Sequence, residues 1–387
     1  MVFRSSPPPS PQELRTDVIQ PAHHQAACPS LPLNHAKRRR PPGSTVPVTG
    51  ANGLIASNVV EEFLALGYNV LGTVRSSARC AWLTSFFASR HGPHRGAFTL
   101  LELPDLGDER AFADAFTAHR VAAVCLTTSN MDFAQPEPEP FISGAVETVR
   151  APMRAALKSA PHVKSFVVTG SMFAVWSPRS NDARALDAET YNDDAVAGAY
   201  ADAWTDPAAR GFAIFAAAFV AKDRAARAFV AEEKPGFRVS VLLVDSVLGR
   251  VLDVEHQGLP TTVGFLAGIW EGGEKAKAAR AFVKPQYYLD AEDCGKLHVA
   301  AAVRADVVNE RIFACGGPFT WNRILRIMKE NWPQQKFEDE DETEGESLSK
   351  VPIERGAALL RDMGGQGWTS LEESVRKTVA TAKLLSR

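Results

Sequence analysis

Apolar positions acquire a regular period only from about Ser44 onward. From there, short near-continuous apolar runs alternate with stretches of helical period. Val46-Pro47-Val48 is the first apolar run, and the pattern predicts a helix from about Ile55 to Leu66. Tyr68 to Val74, Ala122 to Leu126, Ser165 to Thr169 and Val239 to Val244 read as further strands, each reached through a helical stretch. Strands that are apolar on both faces and alternate with helices predict an α/β fold, a doubly wound parallel sheet covered on both sides. Pro47 is unexpected there, because proline removes a ladder donor and belongs at sheet edges. Residues 1–43 differ from the rest. They hold Pro7-Pro8-Pro9, the His23-His24 pair and the basic run Lys37-Arg38-Arg39-Arg40, with no helical or strand period. Disorder is expected for such a segment. The basic run reads as a solvated charge cluster rather than a nuclear-import signal.

The turn after the first strand carries the first chemistry. Thr49-Gly50-Ala51-Asn52-Gly53-Leu54-Ile55-Ala56 closes a strand and opens a helix. Gly50 permits a tight turn, Gly53 lets a pyrophosphate approach the backbone, and Ala56 allows close packing of helix on strand. The first N–H groups of the helix and its dipole then face the anion. A plain tight turn is the competing reading, and the flanking strand and helix argue against it. After the second strand a fold that prefers NAD would place an acid for the ribose hydroxyls. This chain has Val74-Arg75-Ser76-Ser77-Ala78-Arg79 instead. Two guanidinium groups suit a 2′-phosphate, so Arg75 and Arg79 point to NADP(H). Asp105-Leu106, after the third strand, is a candidate for the adenine amino group.

Composition narrows the class further. With 387 residues and 45% apolar residues, the chain suits one nucleotide-binding domain with a second lobe. A net charge of −2 gives no pull toward nucleic acid or an anionic membrane. No apolar run approaches the roughly 18–20 residues needed to cross a bilayer. Cys28, Cys80, Cys125, Cys294 and Cys315 are widely spaced, with no CxxC pair. They read as reduced thiols of an intracellular, cytoplasmic protein without a metal site. The expected partner is a small carbonyl or alcohol substrate, and the expected state a monomer or homodimer.

Beyond the phosphate turn, matching stretches extend along the chain. They include Gly72-Thr73-Val74-Arg75-Ser76, Ala81-Trp82-Leu83, Leu252-Asp253 and Glu255-His256-Gln257-Gly258. Leu297-His298-Val299-Ala300-Ala301, Asn309-Glu310-Arg311-Ile312-Phe313 and Trp368-Thr369-Ser370-Leu371-Glu372-Glu373 continue them. On these residues the chain resembles the extended short-chain dehydrogenases, in the branch of dihydroflavonol reductases and fungal aldehyde/ketone reductases. The resemblance implies a Rossmann-type fold with a smaller C-terminal substrate-binding lobe. The nucleotide-binding domain would span 44–250 with 283–315 returning to it, the lobe 251–282 and 316–375, and a tail 376–387. It also implies hydride transfer by a Ser, Tyr, Lys triad. In that triad the tyrosine is the general acid, the serine binds the carbonyl oxygen, and the lysine binds the nicotinamide ribose.

Ser171, at the end of a strand, takes the place of the family serine. Phe215 and Phe219 stand where the family has tyrosine and lysine, four residues apart on one helix. Phenylalanine has neither a proton to give nor a charge. Both rings read best as core packing. Lys222 lies seven residues after Phe215, almost on the same face, and reads as too far along the helix. Val244 and Asp245 replace a proline and an asparagine near the nicotinamide. Two functions follow: an NADP(H)-dependent reductase of ketones or aldehydes with an altered site, or a cofactor-binding pseudoenzyme acting as a sensor or partner subunit.

Overall fold

The structure, a computed structural model, describes residues 43–91, 96–131, 137–201 and 206–386. The disorder expected for 1–43 therefore concerns residues that, Gly43 apart, lie outside the described ones. The chain opens β1 (Thr45–Thr49), α1 (Leu54–Ala65), β2 (Asn69–Val74), α2 (Ser77–Cys80), α3 (Trp82–His91), β3 (Phe98–Glu102), α4 (Glu109–His119) and β4 (Ala123–Leu126). Next come α5 (Pro138–Ser159), β5 (Ser165–Ser171), α6 (Asp193–Ala199), the long α7 (Pro207–Glu233) and β6 (Arg238–Val244). β7 (Ser246–Leu248), α8 (Val254–Gln257), α9 (Thr261–Glu271), α10 (Gly273–Phe282) and β8 (Gln286–Asp290) follow. The chain closes with α11 (Ala291–Val303), β9 (Arg311–Ala314), β10 (Gly317–Phe319), α12 (Trp321–Asn331), α13 (Glu354–Asp362) and α14 (Leu371–Thr381).

Seven strands form one sheet in the order β3-β2-β1-β4-β5-β6-β9, with every pair parallel. Side chains of a strand alternate between faces, and here both faces are apolar. Val46, Val48, Val167 and Leu242 pack on one side with Val59 and Phe63 of α1 and Leu297 of α11. Val124, Phe166, Val168, Val241 and Leu243 pack on the other with Phe112 of α4, Met153 of α5 and Phe215 and Phe219 of α7. The doubly wound parallel sheet expected from the sequence is borne out.

Pro47 lies in β1, a central strand. The cost is visible in the ladder. β1 meets β2 at five register positions, from Thr45↔Asn69 to Thr49↔Thr73. It meets β4 at one strand pair, Val48↔Cys125, and one isolated bridge, Thr45↔Val121. A missing N–H thins the β1–β4 join without breaking it.

A second sheet, β10-β8-β7, is mixed, with β7 parallel and β10 antiparallel to β8. Near it Trp270 stands edge-on to Trp332 and to Phe337, with ring centres 5.2 and 5.3 Å away. Cys80, Cys125, Cys294 and Cys315 are buried free thiols, and Cys28 lies outside the described residues. Among the described residues no helix is long and apolar enough to cross a membrane. No group of three or more His, Cys, Asp or Glu among them is placed to hold a metal ion.

Candidate active site

The order of the main sheet reverses between β1 and β4, and open α/β sheets bind ligands at such a point, beyond the carboxyl ends of the strands. Both strand ends here are tied together. The backbone N–H groups of Thr127 and Thr128 donate to Thr49 Oγ1 at 2.9 and 3.2 Å, and the Thr127 hydroxyl donates to the Thr49 carbonyl. Gly50 follows with φ +66°, a conformation suited to glycine. A Cβ on Gly50 would lie 2.6 Å from Thr128 Oγ1, a buried oxygen with no hydrogen-bond partner among the described residues. The turn closes with Gly53 N–H donating to the Gly50 carbonyl at 2.8 Å. α1 then begins at Leu54 with no side-chain cap and no acid in its first turn. Its leading N–H groups and positive dipole end are left for an anion.

The turn residues sort clearly by exposure. Asn52 and Gly53 are exposed, Gly50 and Ile55 half-buried, and Leu54 and Ala56 buried. Ala56 is 3% exposed and belongs to the core between α1 and the sheet. α8 clamps the turn, a long-range contact with no local signal near either partner. Gln257 Nε2 donates to the Asn52 carbonyl at 3.0 Å and to Ser57 Oγ at 2.9 Å, and its Oε1 accepts from Asp253 N–H. Beside it His256 stacks on Trp82 with ring centres 4.6 Å apart.

Arg75 precedes α2 and Arg79 lies within it, both exposed and without an ion pair among the described residues. Glu102, the register partner of Val74, accepts from Ser77 N–H at 2.7 Å between them. Asp105 is exposed, with Oδ1 accepting from Gly107 N–H at 2.8 Å, and Leu106 is half-buried. Arg75, Arg79, Asp105, Leu106 and the glycine turn all follow the carboxyl ends of β1, β2 and β3, the side of a doubly wound sheet where the adenosine half of a dinucleotide would lie.

The other half is chemically different. Ser171 ends β5, opposite Val244 in register, and its Oγ accepts from Phe173 N–H at 3.1 Å. That leaves the hydroxyl hydrogen to be donated. Phe215 and Phe219 are 2% and 8% exposed, with ring centres 5.0 Å apart at 77°. Phe173 and Phe212 join them, at 6.0 and 6.3 Å from Phe215, and Phe282 and Phe265 extend the row toward α9 and α10. Phe215 and Phe219 thus belong to a continuous row of aromatic rings.

No tyrosine steps in. Tyr191 OH accepts from Arg227, Tyr200 OH donates to Glu139 at 3.0 Å, Tyr287 OH donates to the Ser349 carbonyl and Tyr288 OH to the Thr369 carbonyl. Tyr68 is buried against Phe63. Asp245 follows β6, and both its oxygens accept backbone N–H groups, from Ser246 and Tyr287. Burial still pushes its carboxyl up to about 7. Lys222, read from the sequence as too distant, is 3% exposed, and its ammonium reaches the ends of β4 and β5. The missed signal was direction. Helical side chains lean toward the helix N-terminus, so a lysine covers the turn before its own.

Residues 46–217 match the NAD dependent epimerase/dehydratase family. An aldehyde reductase 2 of Sporidiobolus salmonicolor is 30% identical over 345 residues, covering 88% of this chain and 96% of that protein. The chain belongs to the NAD dependent epimerase/dehydratase family. Another relative, the ketoreductase adrE of Penicillium rubens, is 31% identical over 88% of this chain and 97% of its own length. Among solved structures, the yeast methylglyoxal/isovaleraldehyde reductase Gre2, crystallised with NADPH, superposes with a TM-score of 0.72. It is 20% identical over 88% of this chain and 99% of that one, which speaks for the shared fold. The family and fold expected from the sequence are thus borne out.

Proposed function

We propose that this member of the family is an NADP(H)-dependent oxidoreductase that reduces an aldehyde or ketone of a small organic or secondary metabolite. The observation that carries the reading is the intact crevice at the β1–β4 switch point. It combines a glycine turn, an uncapped helix start and two exposed arginines, in a chain similar over nearly its whole length to an aldehyde reductase and a ketoreductase. Gly50, Gly53 and the start of α1 would hold the pyrophosphate, Arg75 and Arg79 the 2′-phosphate, and Asp105-Leu106 the adenine. When bound, the cofactor supplies hydride to a carbonyl carbon.

The chain's own part is then positioning and water exclusion. Ser171 donates its hydroxyl hydrogen to the substrate oxygen as negative charge gathers there. The Phe173, Phe212, Phe215 row gives that oxygen an apolar wall, which strengthens the hydrogen bond. Phe215, at the acid position, has no proton to give, so the proton comes from solvent or from the substrate's own hydroxyl. Loss of a positioned general acid lowers rate by roughly 10²–10⁴-fold, about 3–5 kcal/mol of barrier. Turnover is therefore slow. The substrate is taken up beside the smaller sheet, between residues 251–282 and 316–375.

The burial of Phe215 and Phe219 in one aromatic row supports a second reading, a cofactor-binding pseudoenzyme. Loading the protein with NADPH and offering a panel of aldehydes and ketones separates the two. Alcohol product above the protein-free rate supports the reductase. NADPH binding without product supports the pseudoenzyme.

A further inference from the structure

Gln257 commits its whole side-chain amide to a turn 205 positions away and to its own cap. Nε2 donates to the Asn52 carbonyl at 3.0 Å and to Ser57 Oγ at 2.9 Å, and Oε1 accepts from Asp253 N–H at 3.0 Å. Both amide hydrogens and the oxygen are therefore held. The segment that carries Gln257 is itself tied down. Asp253 caps α8 by accepting from the Glu255 and His256 N–H groups, and its other oxygen lies 2.9 Å from His256 Nδ1. Asn58, fully buried, donates to the Arg250 carbonyl at 3.1 Å, so the segment 250–257 is fastened to α1 at both ends.

Solvation does not account for the contact. Asn52 and Gly53 are exposed, and water could satisfy that carbonyl. What the amide adds is direction. The peptide between Asn52 and Gly53 is planar and trans, so its carbonyl and its N–H point opposite ways. Holding the carbonyl toward α8 aims the Gly53 N–H at the Gly50 carbonyl, where it closes the turn at 2.8 Å. The second bond of Gln257 falls on Ser57, whose own N–H donates to the Gly53 carbonyl at 2.9 Å. Between these two anchors lie Leu54 and Ile55, whose N–H groups start α1 and have no acceptor within the helix. A carbonyl rotated into that mouth would repel a phosphate, and one pinned outward leaves the donors alone to face it.

We propose that Gln257 is a positioning residue for the cofactor's pyrophosphate. It acts through the glycine turn, holding the Asn52 peptide so that the leading N–H groups of α1 face the phosphate oxygens. This rests on the NADP(H) reading above, and the choice of ligands keeps the two apart.

Calorimetric titrations of the full chain with three ligands decide it. Adenosine 2′-monophosphate puts nothing at the glycine turn, 2′,5′-ADP adds the 5′-phosphate, and NADP⁺ adds the whole pyrophosphate. The unmodified protein binds the last two more tightly than the first, and equal affinities for all three overturn the proposal. Gln257→Leu weakens 2′,5′-ADP and NADP⁺ by ~10-fold, about the strength of one hydrogen bond, and leaves adenosine 2′-monophosphate unchanged. Gln257→Glu keeps the bond from Asp253 N–H, loses both donated ones and sets a negative charge beside the phosphates. Its loss is therefore larger and grows as salt is lowered. Equal loss for all three ligands marks Gln257 as a general prop and overturns the proposal, as does no loss for any. Should neither variant fold, hydrogen exchange in the unmodified protein decides. NADP⁺ slows the Gln257 and Gly258 amides, and adenosine 2′-monophosphate does not. Equal slowing by both, or none by either, overturns it. If the unmodified protein binds none of the three ligands, the cofactor reading itself fails.

Discussion

Helix α7 carries Phe215, Phe219 and Lys222, and one buried ion pair fixes it to β9. Asp223 Oδ2 accepts from Arg311 Nε at 2.9 Å and lies 2.8 Å from Nη2 in an ion pair, with the two side chains 0% and 2% exposed. Arg311 Nη1 also donates to the Ala188 and Thr190 carbonyls, and its guanidinium lies 4.1 Å from the centre of the Tyr191 ring. Burial raises the Asp223 carboxyl pKa, and Arg311 pulls it back. Asp223→Ala removes the carboxylate that pairs with the guanidinium among the described residues and leaves it buried against neutral carbonyls and a ring. Breaking a buried pair from one side costs about 3–5 kcal/mol. The carbonyls and ring soften this, so about 3 kcal/mol is expected. Replacing both partners by apolar residues, Asp223→Leu with Arg311→Met, removes the stranded charge and costs less than Asp223→Ala alone. Urea unfolding midpoints for the parent, both single variants and the double variant measure this, the slope serving as a check on cooperativity. A loss under about 1 kcal/mol for Asp223→Ala, or a double variant weaker than the single, refutes the reasoning.

Other expectations follow from the crevice. Arg75→Ala should remove most of the preference for NADPH over NADH, read from the two dissociation constants, and equal affinities in the parent would contradict the arginine argument. Gly50→Ala forces a side chain into a positive φ and against Thr128 Oγ1, so NADPH affinity should fall by ~10-fold or more and the melting temperature with it. The pair Phe215→Tyr and Phe219→Lys restores an acid and a cation. It should raise carbonyl reduction while lowering the stability of the empty protein, which bound NADP⁺ then recovers. Asp245 binds its proton up to about pH 7 when folded, but only to about pH 4 when unfolded. The folded state therefore holds more protons between those values, and its stability falls as pH rises from about 4 through 7. Asp245→Asn should flatten that slope in melting temperature against pH.

What the sequence revealed depended on range along the chain. Val46 to Val48, Ser165 to Thr169 and Val239 to Val244 are apolar on both faces, a pattern that only a sheet covered twice explains, and the ends differ by a residue or two. The glycine turn was legible because strand, turn and helix are contiguous. The smaller sheet was not, since β7 and β10 have three residues each, too short to show a period. Contacts made across the chain were equally silent. Gln257 reaches Asn52 over 205 positions, and nothing near either residue announces it. Lys222 was visible but its reach to the ends of β4 and β5 was not, because counting turns along an axis ignores a long side chain that points back. Pro47 warned of a weak ladder, and the strand nevertheless holds a central place, its β2 side fully paired.

The claim that the altered site still transfers hydride is tested most directly by single turnover. Protein loaded with NADPH carrying deuterium at the transferring position is mixed with an excess of each aldehyde and ketone, and the alcohols are analysed by mass. The account predicts deuterium on the carbinol carbon of at least one product, and loss of that label in Ser171→Ala. Bound NADPH that never transfers its label to any carbonyl contradicts it.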